Sequence, residues 1–327
     1  MNLHITAKLP VKPGLRKRDA KAILATRLLL DTLKDHPKVK IVEVADVSKR
    51  QVNCTSEKGK LSSAIVSLPT YLDWAEPINV AELANMGNKP NRATAVIEHI
   101  QFLLTLLSHG VELTLVKPSA DTLEGVYTRD IAAVIGHKCI LANMVAEPRW
   151  PEEKTITGGI IPPSEVKLEG GNVIIDGDVV FIGVGDRTNI EAVVWLQEVV
   201  GTAFQVIPVH LVPGVLHLDC AFSPIAKPNG TSGGALVYVP AFKNEADIKL
   251  FAKIYGRTFA VSEQEYTLLG LNTLALDPET RIVTPSAETI IAILKQELHQ
   301  RVIPVALHEI VKGEGYARCS TMPLVRE

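Results

Sequence analysis

The sequence predicts a mixed α/β fold built from five repeated strand–strand–helix–strand modules, and three observations carry that expectation. Four identical residues recur: Val206-Ile207-Pro208-Val209 and Val302-Ile303-Pro304-Val305 stand 96 residues apart, which is twice 48. A strand-like run at 257–261 occupies the place where an intermediate copy would fall. Each of the three is preceded by a helical pattern, at 189–200, 244–255 and 286–300, and each helix by a hairpin-like stretch, at 166–184, 221–240 and 273–284. The turns are rich in Gly, Asp and Pro, as at Asp176-Gly177 and Asp277-Pro278.

Two earlier segments fit the same unit more loosely. A strand at 64–68, a helix at 92–108 and a strand at 112–116 make one. The next opens with strands at 131–134 and 139–143, and no helical pattern follows them clearly. Five modules of about 50 residues account for residues 61–327. Units of this size cannot bury their apolar faces alone, so they stack in a line or close into a ring. A helix in most modules points to an α/β propeller with helices outside and short sheets converging on an axis; periodicity alone also permits linear stacking. Residues 1–60 stand apart as an extra α/β segment, with a helix at 15–36, a strand at 39–47 and a polar connector at 48–60.

Composition excludes several functions. With 46% hydrophobic residues in 327, the chain can bury a sizeable core. It has no apolar run of about 18 residues, so no membrane span is expected. The four cysteines share no C-x-x-C spacing, which suggests neither a metal site nor a disulfide framework, and a reducing cytoplasmic setting is the default. Aromatic residues are only 5%, too few for stacking platforms that bind nucleic acid. Charge is uneven. Residues 1–60 hold 14 Lys/Arg against 6 Asp/Glu, a balance of +8, while the remainder holds 20 against 30, a balance of −10. The N-terminal extension therefore reads as a folded addition with a solvated basic face; docking on an anionic partner and an organelle transit peptide are the alternatives.

Repeats bring polar residues at equivalent positions together in space. Module by module the chain offers Asp130, Glu169, His217 with Asp219, Asn272 and Cys319, at intervals of 39, 48, 55 and 47 residues. These would line one axial cavity. A thiolate is a strong nucleophile, and an imidazole beside it moves protons. Nearby carboxylates raise a thiol's pKa, so they suit this site only if the substrate is itself a cation. A planar guanidinium, whose N–H fork matches carboxylates, is such a cation. The chemistry this suggests is nucleophilic substitution at a guanidinium carbon, with no metal or cofactor. His217 and Asp219 are read as sharing one face of a strand. Cys54, Cys139 and Cys220 are read as small buried hydrophobes.

At these residues the chain resembles the guanidino-group-modifying superfamily, the five-bladed α/β propellers called penteins, and within it the arginine deiminase and dimethylarginine hydrolase branch. The resemblance rests on Tyr127-Thr-Arg-Asp130, Leu168-Glu-Gly-Gly-Asn172, Gly185-Asp-Arg-Thr188, His217-Leu-Asp219, Asn272-Thr-Leu-Ala-Leu276 and Ala317-Arg-Cys-Ser-Thr-Met-Pro-Leu-Val-Arg326. It covers residues 61–327, the expected catalytic domain. It implies Cys319 as nucleophile, His217 as general acid and then base, and Glu169 as the carboxylate that orients them. It further implies that Asp130 and Asp219 grip the guanidinium, that Arg187 binds the substrate's α-carboxylate, and that Arg149 is a second carboxylate clamp. Residues 71–82 fall where the family has a mobile loop, with Leu72, Trp74 and Ile78 placed to exclude water. Asn172 departs from the pattern, since an acid commonly follows Glu-Gly-Gly, and Glu314 lies where deiminases often carry an arginine. The implied activity is hydrolysis of a small guanidino compound, first arginine to citrulline and ammonia. Hydrolysis of Nω-methylated arginine, amidino transfer and a non-catalytic binder are alternatives. Neither a membrane nor a nucleic-acid partner is expected, and assembly into a homo-oligomer is left open.

Overall fold

The computed structural model describes residues 17–227 and 232–327. The start of the expected first helix at Leu15, the basic residues before Lys17 and residues 228–231 of the expected hairpin at 221–240 lie outside the described residues. Among those described, no helix is long and apolar enough to cross a membrane.

Three consecutive modules follow the expected order. In the first, strands Val173–Asp176 and Val179–Val184 pair antiparallel across a turn at Gly177, whose φ of 67° suits a tight hairpin. Helix Glu191–Val200 follows, and strand Gln205–His210 returns parallel to the second strand. The second module repeats this with Phe222–Ala226, Ser232–Val237, helix Glu245–Tyr255 and Thr258–Ala260. The third uses Leu274–Ala275, Thr280–Val283, helix Glu288–Ala292 continued by a π-turn at Ile293–Glu297, and Arg301–Pro304. Both copies of the repeated tetrapeptide lie on the last strand of a module, which is an edge strand. Pro208 and Pro304 are tolerated there because an edge strand leaves alternate N–H groups unpaired.

The two earlier modules are modified. Strand Leu61–Ser67, helix Arg92–Ser108 and the parallel strand Glu112–Val116 form the first, but their antiparallel partner is the C-terminal strand Met322–Arg326. The helix starts where Asn91 accepts a hydrogen bond from the Thr94 N–H, and it buries Ala95, Val96, His99, Phe102, Leu103 and Leu106 on one stripe. In the next, Ala132–Ile135 and Lys138–Leu141 pair as a hairpin. The helix that sequence periodicity could not locate is a 3-10 run, Glu147–Thr155. Pro148 and Pro151 deny it the backbone donors of an α-helix.

Residues before position 60 join this framework. Helix Lys17–Leu33 buries Ala22, Thr26, Leu29 and Leu33 and packs along Arg92–Ser108, with Thr26 and Thr70 hydroxyls 2.6 Å apart. Arg92 bridges Asp19 and Asp73. Strands Val39–Val42 and Asn53–Cys54 flank Glu112–Val116, Leu61–Ser67 and Met322–Arg326 in one five-stranded sheet.

Candidate active site

Three modules are entered through a single helical turn, and these turns carry the polar residues. Thr128–Ile131 carries Asp130, the 3-10 turn Gly170–Asn172 follows Glu169, and Leu218–Ala221 carries Asp219. His217 immediately precedes the last of these in an extended conformation. The expectation that His217 and Asp219 share a strand face is therefore corrected: the chain turns into a helix between them, and tertiary packing, not strand alternation, brings them together. Asn172 fixes that turn, since its Oδ1 accepts from the Leu218 N–H (2.9 Å) while its Nδ2 donates to Thr188 Oγ1 (3.0 Å). Gly171 permits the close packing here. A Cβ at 171 would stand 2.6 Å from His217 Nδ1 and 2.8 Å from Asp130 Oδ1.

His217 is fully buried between two carboxylates. Its Nε2 lies 2.8 Å from Glu169 Oε2, and its Nδ1 3.5 Å from Asp130 Oδ1. Burial alone would lower the imidazole pKa, but Asp130, Glu169 and Asp219 outweigh it, so the ring holds its proton more tightly than a free histidine. Burial would likewise raise Glu169, yet the His217 contact, with help from Arg187 and Arg149, holds it at about 2. Glu169 is thus held as an anion against His217, whose hold on its proton it strengthens.

Cys319 is 1% exposed and is clasped by Asn272, whose Nδ2 donates to Sγ (3.1 Å) and whose Oδ1 accepts from the Cys319 N–H (3.1 Å). Asp219 Oδ2 lies 3.6 Å from the same sulfur. The neighbouring Cys220 thiol pulls the Cys319 pKa down, but burial and the carboxylates of Asp219 and Asp130 prevail and push it above the ordinary thiol value. These influences favour the thiol form of Cys319.

The arginines surround this cluster. Arg187, 6% exposed, places Nη1 3.6 Å from Glu169 Oε1 and donates Nη2 to the Ile78 carbonyl. Arg149 donates to Asp130 Oδ2 (2.8 Å) and to Glu152 Oε2 (2.8 and 3.0 Å), so its guanidinium is engaged inside the protein. Sequence reasoning missed Arg318 and Glu57 as members of the cluster. Arg318 donates to Asp219 Oδ2 and to Glu57 Oε1 (2.9 Å). Arg318, Arg129 and Arg326 overcome burial and hold Glu57 at about 2.

Residues 71–88 cover the cluster. Leu72 and Trp74 are buried, Ile78 meets Arg187, and Asn79 accepts from the Glu82 N–H (2.8 Å) to start the short helix Val80–Ala84. The Ala81 N–H reaches Glu314, whose carboxyl burial raises to about 7. A cavity of about 320 Å³ lies along the seam between Pro77–Val80 and two turns, one holding Asp186 and Arg187 and the other Gly214. Asp130 Oδ1, His217 Nδ1 and Arg187 Nη1 are buried without a hydrogen bond. Each instead faces an opposite charge at longer range, His217 Nδ1 and Asp130 Oδ1 across 3.5 Å and Arg187 Nη1 with Glu169 Oε1 across 3.6 Å.

No protein-family model matches the chain. The sequence is 33% identical over 289 residues to the uncharacterized protein YkgA of Bacillus subtilis, covering 85% of this chain and 97% of YkgA. It is 26% identical over 259 residues to the arginine deiminase of Clostridium perfringens, covering 63% of this chain; it spans only 62% of that protein's length. It is 26% identical over 251 residues to the N(G),N(G)-dimethylarginine dimethylaminohydrolase of Streptomyces coelicolor, covering 72% of this chain and 88% of the relative. Its fold is similar to the N-terminal domain of ArgZ, a cyanobacterial arginine dihydrolase, with a TM-score of 0.71 at 21% identity over 82% of this chain and 98% of that one. It is also similar to the dimethylarginine hydrolase of Pseudomonas aeruginosa bound to citrulline, with a TM-score of 0.66 at 18% identity over 81% and 99% of the two chains. On these relationships and the mixed α/β architecture, the chain belongs to the guanidino-group-modifying, or pentein, superfamily.

Proposed function

We propose that the protein hydrolyses a guanidinium C–N bond through a covalent intermediate on Cys319, converting arginine to citrulline and ammonia. The observation that carries this reading is the buried cluster itself: a thiol, an imidazole set between carboxylates that strengthen its hold on a proton, and Asp130 Oδ1 without a hydrogen bond. A guanidinium arriving beside Asp130 and Asp219 adds a positive charge next to the sulfur. It lowers the pKa of Cys319 and so generates the thiolate that attacks it.

In the first half-reaction the sulfur bonds to the guanidinium carbon, and the electrons of one C–N bond pass to the departing nitrogen. His217 protonates that nitrogen and ammonia leaves. In the second, neutral His217 takes a proton from water, hydroxide adds to the thiouronium carbon, and the C–S bond breaks to release the ureido product. Glu169 keeps His217 oriented and supports its charge. Arg187 Nη1 faces the place where an α-carboxylate would lie. Because Arg149 is already engaged by Asp130 and Glu152, we assign it to hold Asp130 in position. Residues 71–82 act as the lid, opening to admit substrate and closing to exclude water.

The module pattern supports a five-bladed propeller in which Met322–Arg326, pairing with Leu61–Ser67, joins the two ends of the ring. Residues 61–327 carry the catalytic side chains on this reading. The preceding segment supports them through two strands and Glu57. Arginine is favoured over methylated arginine because the carboxylates here reward each N–H, and a dimethylated nitrogen offers none. The test is product analysis with arginine, asymmetric dimethylarginine and agmatine offered separately, quantifying citrulline, ornithine, ammonia and dimethylamine. Citrulline and ammonia from arginine support the reading. Dimethylamine as the favoured product, or no turnover of any of the three, refutes it.

A further inference from the structure

The proposed reaction makes no use of Cys220, whose thiol lies beside that of Cys319. Cys220 follows Asp219 on the turn Leu218–Ala221 and is fully buried. The two thiols are in contact, and each is the largest influence on the other's acidity. One Asp219 carboxylate touches both, with Oδ1 3.5 Å from Cys220 Sγ and Oδ2 3.6 Å from Cys319 Sγ. The donor atoms of all three residues lie within 4.8 Å of one another. Cys54 and Cys139 differ: burial pushes both thiols up to about 12, and neither touches Cys319.

We propose that Cys220 is a resolving cysteine, forming a reversible disulfide with Cys319 when a hydroperoxide enters the site. The peroxide follows the substrate's route when the lid opens. As Cys319 gives its proton to Asp219, its sulfur attacks the terminal oxygen of the peroxide; the O–O bond breaks, Cys319 becomes a sulfenic acid, and the departing oxygen takes up that proton to leave as water (or an alcohol). Cys220 then attacks the sulfenic sulfur, an S–S bond forms, and a second water leaves. Overall two thiols lose two electrons and two protons to one peroxide and the electrons balance. Asp219, in contact with both sulfurs, takes the Cys220 proton as the bond forms. The sulfurs start within 4.8 Å of each other and close to about 2 Å as the bond forms. The consequence is protective. A nucleophile stored as a disulfide is recovered by a thiol reductant, whereas sulfinic and sulfonic acids are not.

The loss of turnover that accompanies this bond rests on Cys319 being the nucleophile; the bond itself does not. The test therefore reads the bond directly. Full-length protein is treated with hydrogen peroxide, alkylated and digested, and its peptides are weighed. The expected result is a linked pair of peptides, carrying Cys220 and Cys319 and lighter by two hydrogens than their sum, which dithiothreitol separates with return of the original masses. In Cys220→Ser, and in Cys220→Ala should the serine variant fold poorly, no linked pair forms and Cys319 gains two or three oxygens that dithiothreitol does not remove. Oxygen addition at Cys319 of the unaltered protein with no linked peptide overturns the proposal. So does recovery of Cys220→Ser by dithiothreitol to the same extent as the parent.

Discussion

Glu169 Oε2 lies 2.8 Å from His217 Nε2, and both side chains are fully buried. On the proposed reaction, this pairing decides which imidazole nitrogen is free to exchange a proton with substrate. With Nε2 held by an anion, Nδ1 is left facing Asp130 at 3.5 Å and lacks a hydrogen bond. On the proposed reaction, proton transfer to a substrate held by Asp130 would run through Nδ1, and the geometry around that atom should be intolerant of crowding.

Gly171→Ala tests this directly. The added methyl would stand 2.6 Å from Nδ1, so the ring or the turn must shift. A displacement near 1 Å is expected to lower kcat about 10²-fold. Thermal unfolding of the variant, measured beside its kinetics, separates this effect from general destabilisation.

Arg187→Ala should discriminate between substrates. Its Nη1 is buried without a hydrogen bond at the lid seam, so its loss removes a partner for an α-carboxylate. We expect kcat/KM for arginine to fall at least 10-fold more than for agmatine, which lacks that group. Equal losses for the two would make Arg187 a structural residue.

Glu57→Gln probes a support outside the catalytic turns. Glu57 is held at about 2, below its ordinary 4.5, by Arg318 after burial is overcome. Its charge therefore stabilises the fold at pH above about 4.5, and that contribution is lost as pH falls toward 2. The variant should be less stable at pH 7, by about 3 kcal/mol for a broken buried pair. The gap in Tm between parent and variant should close as pH falls from 4.5 toward 2. A gap that stays constant across that range would show that the charge of Glu57 is immaterial.

Glu314 has the opposite sign. Burial raises it from 4.5 to about 7, so the folded state binds its proton more tightly than the unfolded chain. Folding is unburdened below pH 4.5, loses stability as pH rises toward 7, and carries the full penalty above that. Glu314→Gln should remove this slope and raise Tm at pH 8 relative to the parent. Urea unfolding at pH 5 and pH 8 checks it: an equal shift at both pH values would contradict the assignment.

The placement of the site residues was legible in sequence because repeated modules bring equivalent positions to one place. Asp130, Glu169, His217, Asn272 and Cys319, spaced 39 to 55 residues apart, meet in one buried cluster. Their local conformation was not legible. A four-residue turn such as Leu218–Ala221 is too short to leave a periodic signature, so His217-Leu-Asp219 read as a strand. Nor were the ionic supports. Glu57 and Arg318 are 261 residues apart, and nothing in either neighbourhood announces the other. Arg149 was legible as a residue near the site, but not in its engagement with Asp130 and Glu152, which only packing reveals. Cys220 was read as a small core residue, which its burial fits, while its contact with Cys319 depends on two turns meeting.

Covalent chemistry at Cys319 is the central claim, and the most direct measurement is turnover and binding in Cys319→Ser. A serine hydroxyl at this position is a far weaker nucleophile, while Asp130, Asp219 and Arg187 remain to hold substrate. The account predicts that kcat with arginine falls at least 10³-fold and that calorimetry still detects arginine binding with Kd within about tenfold of the parent KM. Activity close to that of the parent would contradict it.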